Sequence, residues 1–172
     1  MREFHSFGAM AEQFAKLSTE GEAVTHELAE KGAKLIQRDA RAKLGHYQGA
    51  AGPFNEWSEL ADSTKEDRVN KGFPENEPLL RTGQLAESID THVERNEAMV
   101  GSMDPVALWQ ECGTDNGRIP PRPFLGAAAF ESKPKLGVIC ANTLIAWISG
   151  RSWHNPRRMI TGAGSEENVA DE

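Results

Sequence analysis

The sequence predicts an α+β fold, with a long N-terminal helix, a small antiparallel sheet built on a hairpin, flanking helices and a flexible C-terminal tail. Three observations lead there. Phe7, Met10, Phe14 and Leu17, then Val24, Leu28, Ala29, Leu35 and Ile36, recur at helical spacing over residues 7–44. Ile89, Thr91 and Val93 alternate with Asp90, His92 and Glu94, the period of a half-buried strand. A second apolar helical stretch, with Leu136, Ile139, Leu144 and Trp147 along one side, follows Pro134. A chain of 172 residues is long enough for one domain with its own core, placed at 1–150, with 151–172 as a tail.

The first helical region should break or kink near residues 18–21, where Thr19 and Glu22 form a capping-box pattern, and should stop at Gly45. A Gly- and Pro-rich loop over residues 46–54 leads to Trp57-Ser58-Glu59-Leu60 and a polar helix ending before Gly72-Phe73-Pro74. A short helix from Leu79 through Leu85 feeds a strand from about Ser88, and Arg95-Asn96-Glu97 turns the chain into residues 98–102. Asp104-Pro105 starts a short helix that Gly113 ends, a polar loop follows, and one further strand is expected after Pro121 or near Ala128. The last helix runs from Pro134 to Gly150. Beyond it, Arg151, Arg157 and Arg158 accompany Trp153 and His154, and residues 162–172 are small and acidic, the composition of disorder.

Composition narrows the function classes. A net charge of -7 opposes a general phosphate-coating role, because such binding works by neutralising phosphates with Lys and Arg. Cys112 and Cys140 stand far apart, as expected of two free thiols in a reducing compartment. The start of the chain has no apolar signal region and no stretch is long enough to span a membrane, so a cytoplasmic product with no membrane partner is expected.

No constellation points to catalysis, a metal or a cofactor. His26-Glu27 invites comparison with a zinc-protease helix, but position 30 is Glu30 where a second histidine is needed. Ser88 and Cys112 are the candidate nucleophiles, and neither lies in a strand-turn-helix elbow. Gly113, Gly117 and Gly126 do not have the spacing of a phosphate-binding loop.

Two segments carry more information, residues 79–89 and residues 113–126. Pro120, Pro121 and Pro123 fix φ and remove backbone donors, which favours a stiff, extended presentation of Arg122 and Phe124 to a neighbouring subunit. The alternative is a loop that returns the chain to its core with Phe124 buried. Arg81 in Arg81-Thr82-Gly83 is either part of a capping turn or, with Arg122, directed at an acidic surface where a planar guanidinium pairs well. Trp153, Arg157 and Arg158 are candidates for contact with DNA or another protein. The assembly contacts expected from sequence are thus Arg81, Arg122, Pro123, Phe124, Trp153, Arg157 and Arg158.

In the order of its motifs the chain resembles the neck and tail-completion proteins of tailed bacteriophages, the virion morphogenesis or minor tail group. The resemblance rests on Trp57 to Leu60, on Leu79-Leu80-Arg81-Thr82-Gly83-Gln84-Leu85-Ala86-Glu87-Ser88-Ile89, on Val100-Gly101, on the Glu-x-Gly-Thr step at Glu111 to Thr114, and on Ile119 to Gly126 with its Pro-x-Arg-Pro-Phe-Leu ending. It covers residues 30–130, and the joint occurrence of the pieces is more specific than any one of them. Leu108-Trp109 stands where an aromatic-Ala step is more common, and the long first helix and the C-terminal extension lie outside the pattern.

The resemblance implies a structural virion protein without enzymatic activity or cofactor, made in the host cytoplasm and placed where head joins tail. It implies a ring, a hexamer first and a dodecamer as the alternative, closed by heterologous contacts. The implied partners are head-closure or connector proteins, tail-terminator or tail-tube proteins, and DNA passing through the lumen without sequence-specific binding. The competing reading is a small regulatory or nucleic-acid-binding module that uses the basic C-terminal tail.

Overall fold

A computed structural model of the chain describes residues 5–154. In chain order the elements are α1 (Phe7–Lys43), α2 (Asp62–Asn70), α3 (Gln84–Ser88), β1 (Ile89–Glu94), β2 (Glu97–Ser102), α4 (Pro105–Cys112) and α5 (Leu125–Ile148). The architecture is α+β, with a long first helix, a two-stranded antiparallel sheet and flanking helices. The chain divides into two compact units, Met1–Leu28 with Lys133–Glu172, and Ala29–Ser132. The tail beyond residue 154, including Arg157 and Arg158, lies outside the described residues.

The first helix starts at Ser6, whose side-chain oxygen accepts the N–H of Ala9 at 3.1 Å. No break occurs at residues 18–21, contrary to the capping-box expectation. Thr19 instead donates to the Lys16 carbonyl at 2.9 Å, and Thr25 donates to those of Gly21 and Glu22, so these hydroxyls bond back along a continuous helix. Gly21 lies inside this helix beside Trp147, where a Cβ would make an ordinary contact of 3.9 Å with the indole. The stop after residue 43 is as read, with Gly45 at φ +91.

In the Ala29–Ser132 unit the core gathers Ala40, Leu44, Trp57, Leu85, Ile89, Ala107, Phe124 and Ala128. Three of these are alanines, small enough for the helices to approach one another closely. Ile89 is fully buried at the start of β1, and its carbonyl accepts from Gln37 at 2.8 Å and Arg41 at 2.6 Å, which fastens the hairpin to α1. The hairpin pairs Ile89 with Ser102 through to Glu94 with Glu97, and Arg95 turns it at φ +49.

Two expectations fail in the second half of this unit. Residues 79–83 are irregular rather than helical, with Leu79 at φ +62 and Gly83 at φ +85, and α3 begins only at Gln84. No strand forms after Pro121 or near Ala128, since α5 has already begun at Leu125 and runs through Pro134. The helix begins nine residues before Pro134 because its first N–H groups find an acceptor on a residue outside it, described below.

The other unit, over its described residues, packs Val24, Ala146 and Trp153 together with the half-buried Leu28 and Trp147. Here the His154 ring nitrogen lies 2.5 Å from the Glu27 carboxylate, and the His154 ring lies 3.8 Å from that of Trp153. No helix among the described residues is long and apolar enough to cross a membrane.

Candidate functional site

The pieces of sequence that carry the phage resemblance come together around the start of α5. Glu111, the seventh residue of α4, turns its carboxylate onto the helix entrance. One oxygen accepts from Phe124 at 2.7 Å and Leu125 at 2.9 Å, and the other from Gly126 at 2.8 Å. Three main-chain donors that the helix leaves without an internal partner are thereby satisfied by a negative charge at the positive end of the helix dipole.

Gly113 makes this geometry available. It sits at φ +77, and a Cβ there would lie 3.0 Å from the Ile119 carbonyl oxygen and 3.1 Å from the Pro121 ring. The loop it opens is closed by Thr114, which accepts the Ile119 N–H on its hydroxyl at 3.1 Å and donates its own N–H to the Ile119 carbonyl at 3.1 Å. Gly126 is equally constrained, since a Cβ would come within 2.6 Å of the Phe54 ring. The Glu-x-Gly-Thr step is therefore a helix cap coupled to a tight turn.

Arg122 and its neighbours face inward, which corrects the expectation that residues 119–126 present them to another subunit. Arg122 is 5% exposed, Phe124 is fully buried and Pro123 is buried. The guanidinium donates from Nε and Nη2 to the Ser58 carbonyl at 3.1 and 3.0 Å, and from Nη2 to the Glu59 carbonyl at 3.0 Å. Burial pushes its pKa below the ordinary arginine value. Trp57 completes the clasp by donating its indole N–H to the Pro123 carbonyl at 3.2 Å. A planar fork suited to carboxylates is thus spent on the chain's own carbonyls, because the Pro-rich segment folds back over residues 57–59.

Arg81 remains exposed. It pairs with Asp67 at 2.8 Å and lies over the Phe73 ring at 5.0 Å. Lys71 reaches the same carboxylate at 2.7 Å, and these two contacts, Lys71 first, hold the Asp67 carboxyl below the usual range. Trp153 is buried in its own unit, 8% exposed, and so presents no open face for stacking on a base. Arg157 and Arg158 fall outside the described residues.

Sequence reading missed a stretch that the structure leaves open to solvent. Along residues 99–109, Met99 is 66% exposed, Met103 99%, Leu108 64% and Trp109 48%. Isolated exposed apolar residues are ordinary, but with Val106, 40% exposed, five large ones fall in eleven positions of chain, a candidate contact stretch for a partner. The signal was present as Leu108-Trp109 in a helix only eight residues long, too short to bury both neighbours on one core face. In the other unit Phe7 and Phe14, seven residues apart on α1, are 81% and 60% exposed.

The candidate chemistry elsewhere is quiet. The Ser88 hydroxyl donates to the Leu85 carbonyl at 2.8 Å and lies 2.7 Å from that of Ser102, while Cys112 is exposed as a free thiol. Among the described residues no three His, Cys, Asp or Glu side chains are placed to hold a metal ion. No protein-family model, no curated protein and no solved structure is found to match this chain.

Proposed function

We propose that this chain is a structural virion protein of a tailed bacteriophage, which joins or completes the head-tail interface as one subunit of an oligomeric ring. The observation that carries the reading is spatial. Trp57, Leu85, Ile89 and Phe124 come from three of the motif pieces and share one core, while Glu111 and Gly113 from a fourth shape the turn that delivers Phe124 to it. Motif pieces that pack into one nucleus support reading them together as one unit. Exposed Met103, Leu108 and Trp109 supply apolar surface for the subunit contacts. In this reading the protein acts by binding and positioning, with no enzymatic step. It sits in the virion neck or at the head-proximal end of the tail, between connector and tail proteins, with DNA passing through the lumen. A hexamer is favoured and a dodecamer is the alternative.

Native mass spectrometry and negative-stain electron microscopy of the full chain test the proposal. A closed ring of fixed stoichiometry, and the same protein in purified virions, are expected. A monomer at all concentrations, together with its absence from assembled particles, overturns the proposal.

A further inference from the structure

The Ala29–Ser132 unit contains a groove of about 580 Å³ whose charge is opposite to that of the chain. Its lining includes Arg68, Arg81, Arg118 and Arg122, against two carboxylates, Glu59 and Asp104. Both carboxylates are already engaged, Glu59 with Lys65 at 3.2 Å and Asp104 with the Val106 N–H at 2.9 Å as the cap of α4. A protein of net charge -7 thus concentrates positive charge in one concave place.

Two of these cations are nearly buried and have no anionic partner among the described residues. Arg68 is 4% exposed and donates to the Pro74 and Leu80 carbonyls, each at 2.7 Å. Arg122, 5% exposed, donates to the Ser58 and Glu59 carbonyls. Carbonyl dipoles satisfy the N–H groups but leave the net charge in place, and in a concave low-dielectric wall that charge draws anions. Arg118 is exposed at the rim, and its guanidinium has no ion pair among the described residues. Arg81 shares its single carboxylate, Asp67, with Lys71. Gln110 also lines the groove, and its buried Oε1 has no hydrogen-bond partner among the described residues. Leu60, Leu79, Val106 and Ile119 supply apolar surface between the charges.

An acidic peptide has the chemistry these features call for: carboxylates for the arginines and small side chains for the apolar wall. The chain itself contains a segment of that composition. Residues 164–172 read Gly164-Ser165-Glu166-Glu167-Asn168-Val169-Ala170-Asp171-Glu172, with four carboxylates and no basic residue. We propose that the groove is the docking site for residues 164–172 of a second copy of this chain. Each copy then acts as donor through its tail and acceptor through its groove, a heterologous contact of the kind that closes a ring. The inference rests on the proposal that copies of the chain assemble with one another.

Full-length protein carrying a photo-cross-linking benzophenone side chain in place of Asn168, mixed from ¹⁴N- and ¹⁵N-labelled batches, tests it. Cross-linked peptides of mixed isotope composition should join position 168 to residues 79–85, 104–110 or 118–120. Arg118→Glu, which removes no side-chain hydrogen bond or ion pair found among the described residues, should cut their yield by roughly tenfold, as should about 0.5 M salt. Adding Glu166→Lys and Glu167→Lys to Arg118→Glu should restore it. Native mass spectrometry of the same samples separates the two ways of failing. Assembled particles whose cross-links fall elsewhere, or do not respond to Arg118→Glu, overturn the docking proposal and leave assembly standing. Groove cross-links within single copies only overturn the second-copy assignment, and monomers throughout overturn both proposals.

Discussion

Glu111 and Phe124, thirteen positions apart, are joined by a 2.7 Å hydrogen bond from the Phe124 N–H to the Glu111 carboxylate. This bond couples the end of one helix to the start of another and sets the point at which the buried Phe124 ring enters the core. The carboxylate serves as a cap that is remote in sequence, so the helix after it needs no Ser, Thr, Asp or Asn immediately before it.

Replacing Glu111 with Ala should therefore destabilise the fold by about 2–3 kcal/mol, since it orphans three backbone donors and removes a favourable charge at a helix N-terminus. Glu111→Gln keeps one acceptor oxygen and should lose less. Urea denaturation followed by circular dichroism measures both, and full parental stability in Glu111→Gln would contradict the role of charge.

Arg122→Ala should behave as a folding variant. Two carbonyls lose their donors and the segment over residues 57–59 loses its clasp, for about 2–4 kcal/mol of stability. Arg122→Lys should recover only part of this, because a single ammonium cannot reproduce the Nε and Nη2 fork. Thermal unfolding of the two variants is the check. An unchanged melting temperature with lost assembly would return Arg122 to the subunit-contact role that its sequence context suggests.

Phe124→Ala empties a fully buried site and should cost about 3–5 kcal/mol. Gly113→Ala has a different cause, a Cβ at φ +77 only 3.0 Å from the Ile119 oxygen, and should cost more than about 1 kcal/mol through backbone strain. Denaturant midpoints separate these from a surface variant, which should move little.

Leu108→Ser combined with Trp109→Ser should cost much less stability than Phe124→Ala, because Leu108 is 64% and Trp109 48% exposed. The same variant should lose self-association in sedimentation velocity. Full retention of the ring would remove residues 99–109 from the assembly surface.

The Asp67 carboxyl is depressed by Lys71 and then Arg81, which fixes the sign of a pH effect. A carboxyl depressed in the folded state stabilises it above the unfolded carboxylate value, and that contribution is lost as pH falls through the folded value. Asp67→Asn should flatten the acid limb of stability against pH, modestly because the group is exposed and screened. A carbon-detected NMR titration should show Asp67 moving back toward the ordinary range in Arg81→Ala, and no movement would break the link to Arg81.

The sequence by itself determined the features whose causes are local. The period-two alternation over residues 89–93 specifies the first strand of the hairpin, the Asp104-Pro105 pair specifies the start of α4, and Gly45 specifies the end of α1. Each is settled by neighbours within a few residues. The tertiary structure decided everything that depends on a partner far along the chain. Residues 119–126 are stiff, as their prolines require, but stiffness does not say which way Arg122 points. Carbonyls more than sixty residues away decide that. The start of α5 at Leu125 depends on a carboxylate fourteen residues upstream. The same limit hid the arginine groove, whose four cations lie at positions 68, 81, 118 and 122 and become one electrostatic feature only when the loops that hold them are folded together.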